Sequence, residues 1–292
     1  MFTGMIKSKI VRILPEEGRL ETSVPGFVLT RYDAIRPPES CLHSPMVAFV
    51  IQGLKKAFYG EIEANYGQGQ CVVLGIDVPG VYQILNASKE HPFLSLSVKL
   101  ENQIIYNLFN EMPWLSGNIS QTSSPVGVIG VDLSLLDAFR RLVDLLEYPE
   151  RIPILAPMIL KEIHFYILSG TLGPQLKLFC TSGTQANQIR RAISWLREHY
   201  KSSLRMADIA TKVNMAPSTF NRYFRQATGL SPLQFQKHLR LHEAERLMLV
   251  ENCDATSAAL AVGYESCSQF TREYKRLFGA PPRRDIASRH SR

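Results

Sequence analysis

The chain has 292 residues, 45% of them hydrophobic and 20% charged, which gives room for roughly two domains of an ordinary water-soluble kind. Unbroken apolar runs such as Met46–Ile51 reach only about six residues against the ~20 that cross a bilayer, and the first ten residues lack the apolar stretch of a secretory signal. The net charge of +7 is uneven: residues 1–183 carry 15 Lys and Arg against 17 Asp and Glu, whereas residues 184–292 carry 18 against 9, a surplus of nine. A basic second half beside a near-neutral first half predicts one domain that meets a polyanion and one that does not. The five cysteines are odd in number with none at CxxC spacing, which speaks against zinc ribbons and disulfide frameworks and fits a reducing cytoplasm.

Along the chain, residues 10–100 read as short strands: Gly26–Tyr32, Pro45–Gln52, Lys56–Glu61, Gln70–Leu74, Val81–Leu85 and Leu94–Lys99. Turns are expected at Pro37-Pro38, Tyr66-Gly67 and Pro79-Gly80, and Gly67-x-Gly69 reads as a hairpin turn rather than a nucleotide loop. Met46–Ile51 is apolar at both parities, so both faces of that strand should be buried. Leu133–Leu146 and Pro153–Leu168 carry apolar residues at helical spacing and are candidates for either dimerisation or packing within the domain. Ser169–Ala186 is rich in Gly, Ser and Thr and reads as a linker. From Asn187 onward the pattern is helical.

The second half repeats itself. Met206–Gly229 and Ala255–Gly279 align with Ala216 over Ser266, Phe220 over Phe270, Arg222 over Arg272, Phe224 over Tyr274 and Gly229 over Gly279, all at an offset of 50 residues. Each unit reads as a helix-turn-helix. Ala210 and Ala259 are small enough for a helix crossing, and Asn214 and Gly263 tolerate the left-handed turn. Ser266 can cap the second reading helix with Gln269 completing a capping box; in the first unit Ala216 caps poorly and Pro217 compensates. Phe220, Phe224, Phe270, Tyr274 and Phe278 form the buried faces. Arginine, asparagine and hydroxyl side chains on the other face suit base edges in the major groove, and Lys212, Thr219, Arg225, Lys275 and Arg276 suit phosphates. Ser231, Pro232 and Gln234 start a connector helix running to about Val250. Twenty residues would span about 30 Å, close to the ~34 Å between successive major-groove faces.

Residues 187–285 resemble the DNA-binding domain of the AraC/XylS transcription regulators. The resemblance is carried by MADIATKVNMAPSTFNRYFRQATG, SPLQFQKHLRLHEAERLML and AVGYESCSQFTREYKRLFGAPPRRD. It places base-reading positions on Ser218, Asn221 and Arg222 in the first unit and on Cys267, Ser268, Thr271 and Arg272 in the second; a thiol at Cys267 reads bases poorly. Residues 10–100 are similar to the cupin-like barrel of one subgroup of that family. The resemblance implies an effector-sensing or dimerising N-terminal domain. The HxH pair of metal-binding cupins is missing: His43 stands alone and Gln83 sits where a later histidine would, so no metal, cofactor or catalytic residue is expected. His91 reads as a loop residue, and His238 and His242, four apart without a third ligand, as a solvated face.

The expected fold is thus α+β in two domains. Residues 1–183 form a cupin-like β-barrel with flanking helices, and residues 184–292 an all-α domain of two helix-turn-helix units. The expected function is sequence-specific transcription regulation, as an activator, in a bacterial cytoplasm at the nucleoid. The expected partners are double-stranded DNA, a small-molecule effector of unknown identity in a barrel lined by aliphatic and aromatic side chains, RNA polymerase and a second copy of the chain, with no membrane. A cupin-type metalloenzyme fused to a DNA-binding tail and an architectural DNA-binding protein are the alternatives.

Overall fold

A computed structural model describes residues 2–112 and 124–290. In chain order the first half contains α1 (Phe2–Ile13), β1 (Gly18–Glu21), β2 (Phe27–Tyr32), β3 (Arg36–His43), β4 (Met46–Gln52), β5 (Leu54–Tyr59), β6 (Ile62–Gly67), β7 (Gln70–Leu74), β8 (Val78–Asn86) and β9 (Phe93–Lys99). These are followed by α2 (Asn102–Glu111), β10 (Val126–Gly130), α3 (Leu133–Leu145), α4 (Ile152–Ser169) and α5 (Gly173–Cys180). The rest is helical: α6 (Gln185–His199), α7 (Met206–Lys212), α8 (Pro217–Thr228), α9 (Pro232–Val250), α10 (Ala255–Ala261), α11 (Cys267–Phe278) and α12 (Pro282–His290).

The strands form two antiparallel sheets, one of order β1-β2-β9-β4-β7-β10 and one of order β3-β8-β5-β6. β4 lies inside the larger sheet and is buried along its middle on both faces, as its double-parity apolar run requires. Val47, Phe49 and Ile51 face a core built with α1 to α4, where Phe49 stacks on Phe139 with ring centroids 5.5 Å apart. Ala48 and Val50 face the interior between the sheets, beside Tyr59, Tyr66 and Ile84.

Four expectations change. Tyr66 and Gly67, expected as a turn, close strand β6 opposite Lys55 and Leu54, and the turn falls at 68–69. Pro37 and Pro38 lie within β3 rather than in a turn; β3 is an edge strand with a register shift between Arg36 and Glu39, where missing N–H groups are tolerated. Pro79 and Gly80 lie within β8. There β8 pairs with β3 but its pairing with β5 stops at Val81, so proline costs no second ladder bond. At Gly80 a Cβ would sit 3.0 Å from the Tyr59 ring, tighter than ordinary contact. The segment expected to be a linker contains α5, whose Leu176 and Phe179 are buried in the two neighbouring cores. Strands β1, β3, β6 and β10 and helices α1 and α2 carry too few of the expected turn and periodicity signals to stand out in the sequence.

The helices over 133–145 and 152–169 match their periodicity closely. Ile152–Leu160 is apolar throughout once its prolines are counted, and Pro149–Ser169 is long and apolar enough by composition to cross a bilayer, with mean hydropathy 1.4. Here Ile159, Leu160, Ile163, Ile167 and Leu168 are spent on the core. The opposite side leaves Ile154 and Met158 70% and 65% exposed, and Leu133 at the start of α3 is 75% exposed.

Because β4 holds both cores together, Phe49→Ala is expected to cost ~3–5 kcal/mol, the usual range for emptying a buried aromatic site. A fall in the denaturant midpoint with an unchanged slope checks this; a change under about 1 kcal/mol would contradict the burial of Phe49 in the core beneath α1 to α4.

Candidate nucleic-acid interface

Each repeat folds as two helices about a left-handed turn. In the first unit Asn214 takes φ 55° and the Met215 N–H donates to the Ala210 carbonyl at 2.9 Å. In the second, Gly263 takes φ 88° and the Tyr264 N–H donates to the Ala259 carbonyl at 3.0 Å. Ala210 and Ala259 are fully buried at the crossings, which is why both units need alanine there. Both reading helices, α8 and α11, end on a left-handed glycine, Gly229 and Gly279.

The caps follow the sequence in part. Ser231 and Gln234 form the complete capping box that opens α9. Ser266 accepts from the Gln269 N–H at 3.3 Å, but the Gln269 side chain donates to Glu273 instead of returning to the cap, so that box is half made. Ala216 offers no side-chain cap and Pro217 holds the first turn. Asp254, unremarked in the sequence, caps α10 through the N–H groups of Thr256 and Ser257 at 2.8 and 3.1 Å.

Phe220, Phe224, Phe270 and Tyr274 are buried and Phe278 is half-buried. That leaves Ser218, Asn221 and Arg222 exposed on α8, and Ser268, Thr271 and Arg272 exposed on α11. Cys267 is half-buried, and the Thr271 hydroxyl donates back to its carbonyl at 2.9 Å. Lys212, Arg225, Lys275 and Arg276 are exposed, and Thr219 is half-buried. Among the described residues none of the cations Lys212, Arg222, Arg225, Arg272, Lys275 and Arg276 pairs with a carboxylate. Lys212 and Arg222 lie against the Trp195 and Tyr223 rings at 5.4 and 4.9 Å. By contrast Lys237 and Arg246 on α9 and Arg289 on α12 are all spent on carboxylates.

The connector α9 has 19 residues, about 28 Å at the ordinary helical rise. It fixes the two units to one another through side chains whose role the sequence did not single out. The Arg240 guanidinium donates to the carbonyls of Tyr200, Lys201 and Ser202 after α6, and to that of Gly263 in the second turn, all within 2.7–3.1 Å. Gln236 adds two bonds of 2.8 Å to Tyr200 and Ser202. Lys237 reaches the buried Glu273 of α11 at 2.7 Å, and the Tyr264 hydroxyl donates to the same carboxylate at 2.8 Å. Burial opposes ionisation of Glu273, but these bonds and that from Gln269 hold its carboxyl below the ordinary range. An acidic residue in an otherwise basic helix was the signal for that role. His238 and His242 are half-buried rather than solvated: His242 packs edge-on against Phe278 and lies 3.5 Å from Ser40 of β3.

The helical half also touches the barrel. Arg197 of α6 pairs with the buried Asp77 and donates to Ser44 at 3.2 Å. At the β5–β6 turn Gly60 (φ 62°) meets Gly229 (φ 74°) at the end of α8 so closely that a Cβ on Gly60 would lie 2.6 Å from the Gly229 Cα. His43 is a wall residue. Its Nε2 is 2.9 Å from the Cys41 sulfur, and burial pushes its pKa down to about 3 and the thiol up to about 12, so both are neutral. Among the described residues no three His, Cys, Asp or Glu side chains gather to hold a metal ion.

Comparison with known proteins follows this division. The AraC-type transcriptional regulator N-terminus family matches residues 23–175, and a helix-turn-helix domain family matches residues 209–286. The chain is 28% identical over 153 residues to the HTH-type transcriptional activator RhaS of Escherichia fergusonii, across 52% of this chain and 55% of RhaS. It is 24% identical over 208 residues to the HTH-type transcriptional regulator ExsA of Pseudomonas aeruginosa, across 70% of this chain and 73% of ExsA. The chain thus spans about half of the first of these relatives. The structure of ToxT from Vibrio cholerae superposes with a TM-score of 0.64 at 11% identity, covering 89% of this chain and 97% of ToxT. A form of ToxT with an unsaturated fatty acid bound gives 0.62 at 12% identity, covering 89% of this chain and 94% of that one. With more than half of its length matched by the N-terminal family alone, and the helix-turn-helix match following it, the chain belongs to the AraC family of transcriptional regulators.

Proposed function

We propose that this protein is a sequence-specific DNA-binding regulator that reads two neighbouring stretches of duplex through α8 and α11, under control of a small molecule bound by the N-terminal half. The observation that carries the reading is the set of six cations on α7, α8 and α11 that pair with no carboxylate among the described residues, while Lys237 and Arg246 on the connector and Arg289 on α12 are engaged. In each unit they surround an exposed hydroxyl-bearing or amide-bearing face of the kind that reads base edges. The base-reading set is Ser218, Asn221, Arg222, Ser268, Thr271 and Arg272, with Cys267 contributing little from its half-buried position. Lys212, Thr219, Arg225, Lys275 and Arg276 contact phosphates. The working division of the chain is residues 1–183 for sensing and 184–292 for DNA. The exposed apolar residues Leu133, Ile154 and Met158 support pairing of two copies through α3 and α4.

Full-length protein in a gel-shift titration is expected to select one DNA motif from random duplexes, with affinity that falls steeply as salt rises. Equal affinity for all duplexes at physiological salt would overturn the reading. Arg222→Ala and Arg272→Ala are each expected to cost ~1–3 kcal/mol and to relax one base position, whereas Lys212→Ala weakens all sequences alike. Selection on random DNA with each variant checks this. Arg240→Ala touches neither base nor phosphate in this scheme. It is expected to weaken binding to the full site by roughly tenfold or more while leaving a half-site nearly unchanged, since it removes the bonds that set one unit against the other. Equal losses on full and half sites would show that Arg240 supports only local folding.

A further inference from the structure

Between the two sheets, at the side where the edge strands β1 and β3 leave the barrel open, lies a cavity of about 280 Å³. That is near the lower end of the ~300–1,000 Å³ usual for small-molecule sites. The sequence led to the expectation of an aliphatic and aromatic lining, but its floor is polar. Thr30, Ser95 and Ser97 stand on neighbouring strands β2 and β9, paired Thr30 to Ser95 and Val28 to Ser97, with Ala48 next to Ser97 on β4. Among the described residues none of these three hydroxyls has a hydrogen-bond partner in the protein, although each is half-buried.

The charges facing this space are three cations, Arg19, Lys55 and Lys99, against one carboxylate, Glu21. Arg19 already pairs with Glu21 at the exposed rim, 3.4 Å away. Lys99 has no carboxylate partner among the described residues, and Lys55 has none either; its ammonium lies only over the Tyr82 ring, 4.1 Å from the centroid. The nearby Glu39 is taken by the Tyr82 hydroxyl at 2.9 Å and by Arg36. Burial pulls the Lys55 ammonium down to about 8, and the Glu39 carboxylate offsets that only in part. A ligand that brings an acid group and hydroxyls to this space would meet one ammonium and three hydroxyls that engage no hydrogen-bond partner among the described residues.

We propose that this cavity is the effector site and that it takes a compact organic acid bearing further hydroxyl groups, its acid group on Lys55 and its hydroxyls on Thr30, Ser95 and Ser97. This deepens the sensing half of the proposed function and rests on it. An aliphatic tail would leave the floor hydroxyls desolvated and unpaired, so the chemistry differs from that of the fatty acid seen in the ToxT structure. The turn at 43–46 is shared wall: His43 faces this cavity, while Ser44 accepts from Arg197 of α6 on the other side. Ligand in the cavity therefore presses on the segment that holds the helical half to Asp77.

Calorimetric titration of the full chain with gluconate, galacturonate and malate, with the matching neutral polyols and sugars, and with an unsaturated fatty acid tests the assignment. At least one hydroxylated acid is expected to bind at one per chain while its neutral counterpart does not. Lys55→Met should lower that affinity roughly tenfold or more, as loss of a charge-assisted hydrogen bond does, with Lys55→Arg restoring part of it. The melting temperature of ligand-free Lys55→Met is expected to equal or exceed that of the original protein, which separates loss of the site from loss of the fold. Binding of a neutral sugar or of the fatty acid as tightly as any acid, full affinity in Lys55→Met, or no acid binding at millimolar concentration would each overturn the proposal. A parallel gel shift separates the two readings: acid binding that leaves DNA affinity unmoved supports the site and removes its regulatory role.

Discussion

Ile189, Ile193 and Leu196 of α6 lie in one apolar cluster with Leu74, Ile76 and Val78 of the barrel and with Phe220, Phe224 and Phe235 of the first reading unit and connector. Apolar burial has no preferred direction, and its strength follows only the area removed from water. A cluster that draws on both halves therefore makes each half part of the other's interior. The larger sheet then buries its second face under α1 to α4, and the second reading unit closes its own small core around Tyr264, Phe270 and Tyr274. In this arrangement α6, packed on α5 and α8, also sets its apolar side chains against the barrel.

Polar groups do the orienting that apolar contacts cannot. The carbonyls after α6 converge on Arg240 and Gln236, and the carboxylate of Glu273 gathers Lys237, Tyr264 and Gln269. These bonds lock the angle between the two reading units from the inside. The cations on α7, α8 and α11 take no part in that network. Left without carboxylate partners among the described residues, they keep the positive potential of this face available to an incoming anion.

The helical half was legible because its rules are local. Ala210 and Ala259 at the crossings, Asn214 and Gly263 at left-handed turns, and a repeat offset of 50 residues each mean the same thing wherever they occur. The barrel was legible only at β4, where both parities are apolar, and at strands such as β7 with clear ends. Pro37-Pro38 and Pro79-Gly80 misled because whether a proline breaks a strand depends on the neighbour across the sheet, and that neighbour is set by topology. The same is true of Arg240 and Lys55. An arginine on a helix and a lysine on a strand look solvated in sequence, and only the assembled fold surrounds one with carbonyls and leaves the other facing a cavity.

The contact between Gly60 and Gly229 has a consequence of a different kind. Both residues sit in left-handed conformations, and neither tolerates a side chain while the hairpin tip stays against the end of α8. Docking at this point is therefore a property of two codons rather than of the fold as a whole. A single nucleotide change at either one replaces glycine with a residue that wedges the hairpin away from the reading helix, without touching a base, a phosphate or a ligand. Close docking of the hairpin tip is thus a heritable trait that selection can dismiss in one step, after which the apolar cluster around α6 and the Arg197–Asp77 pair still hold the two halves together.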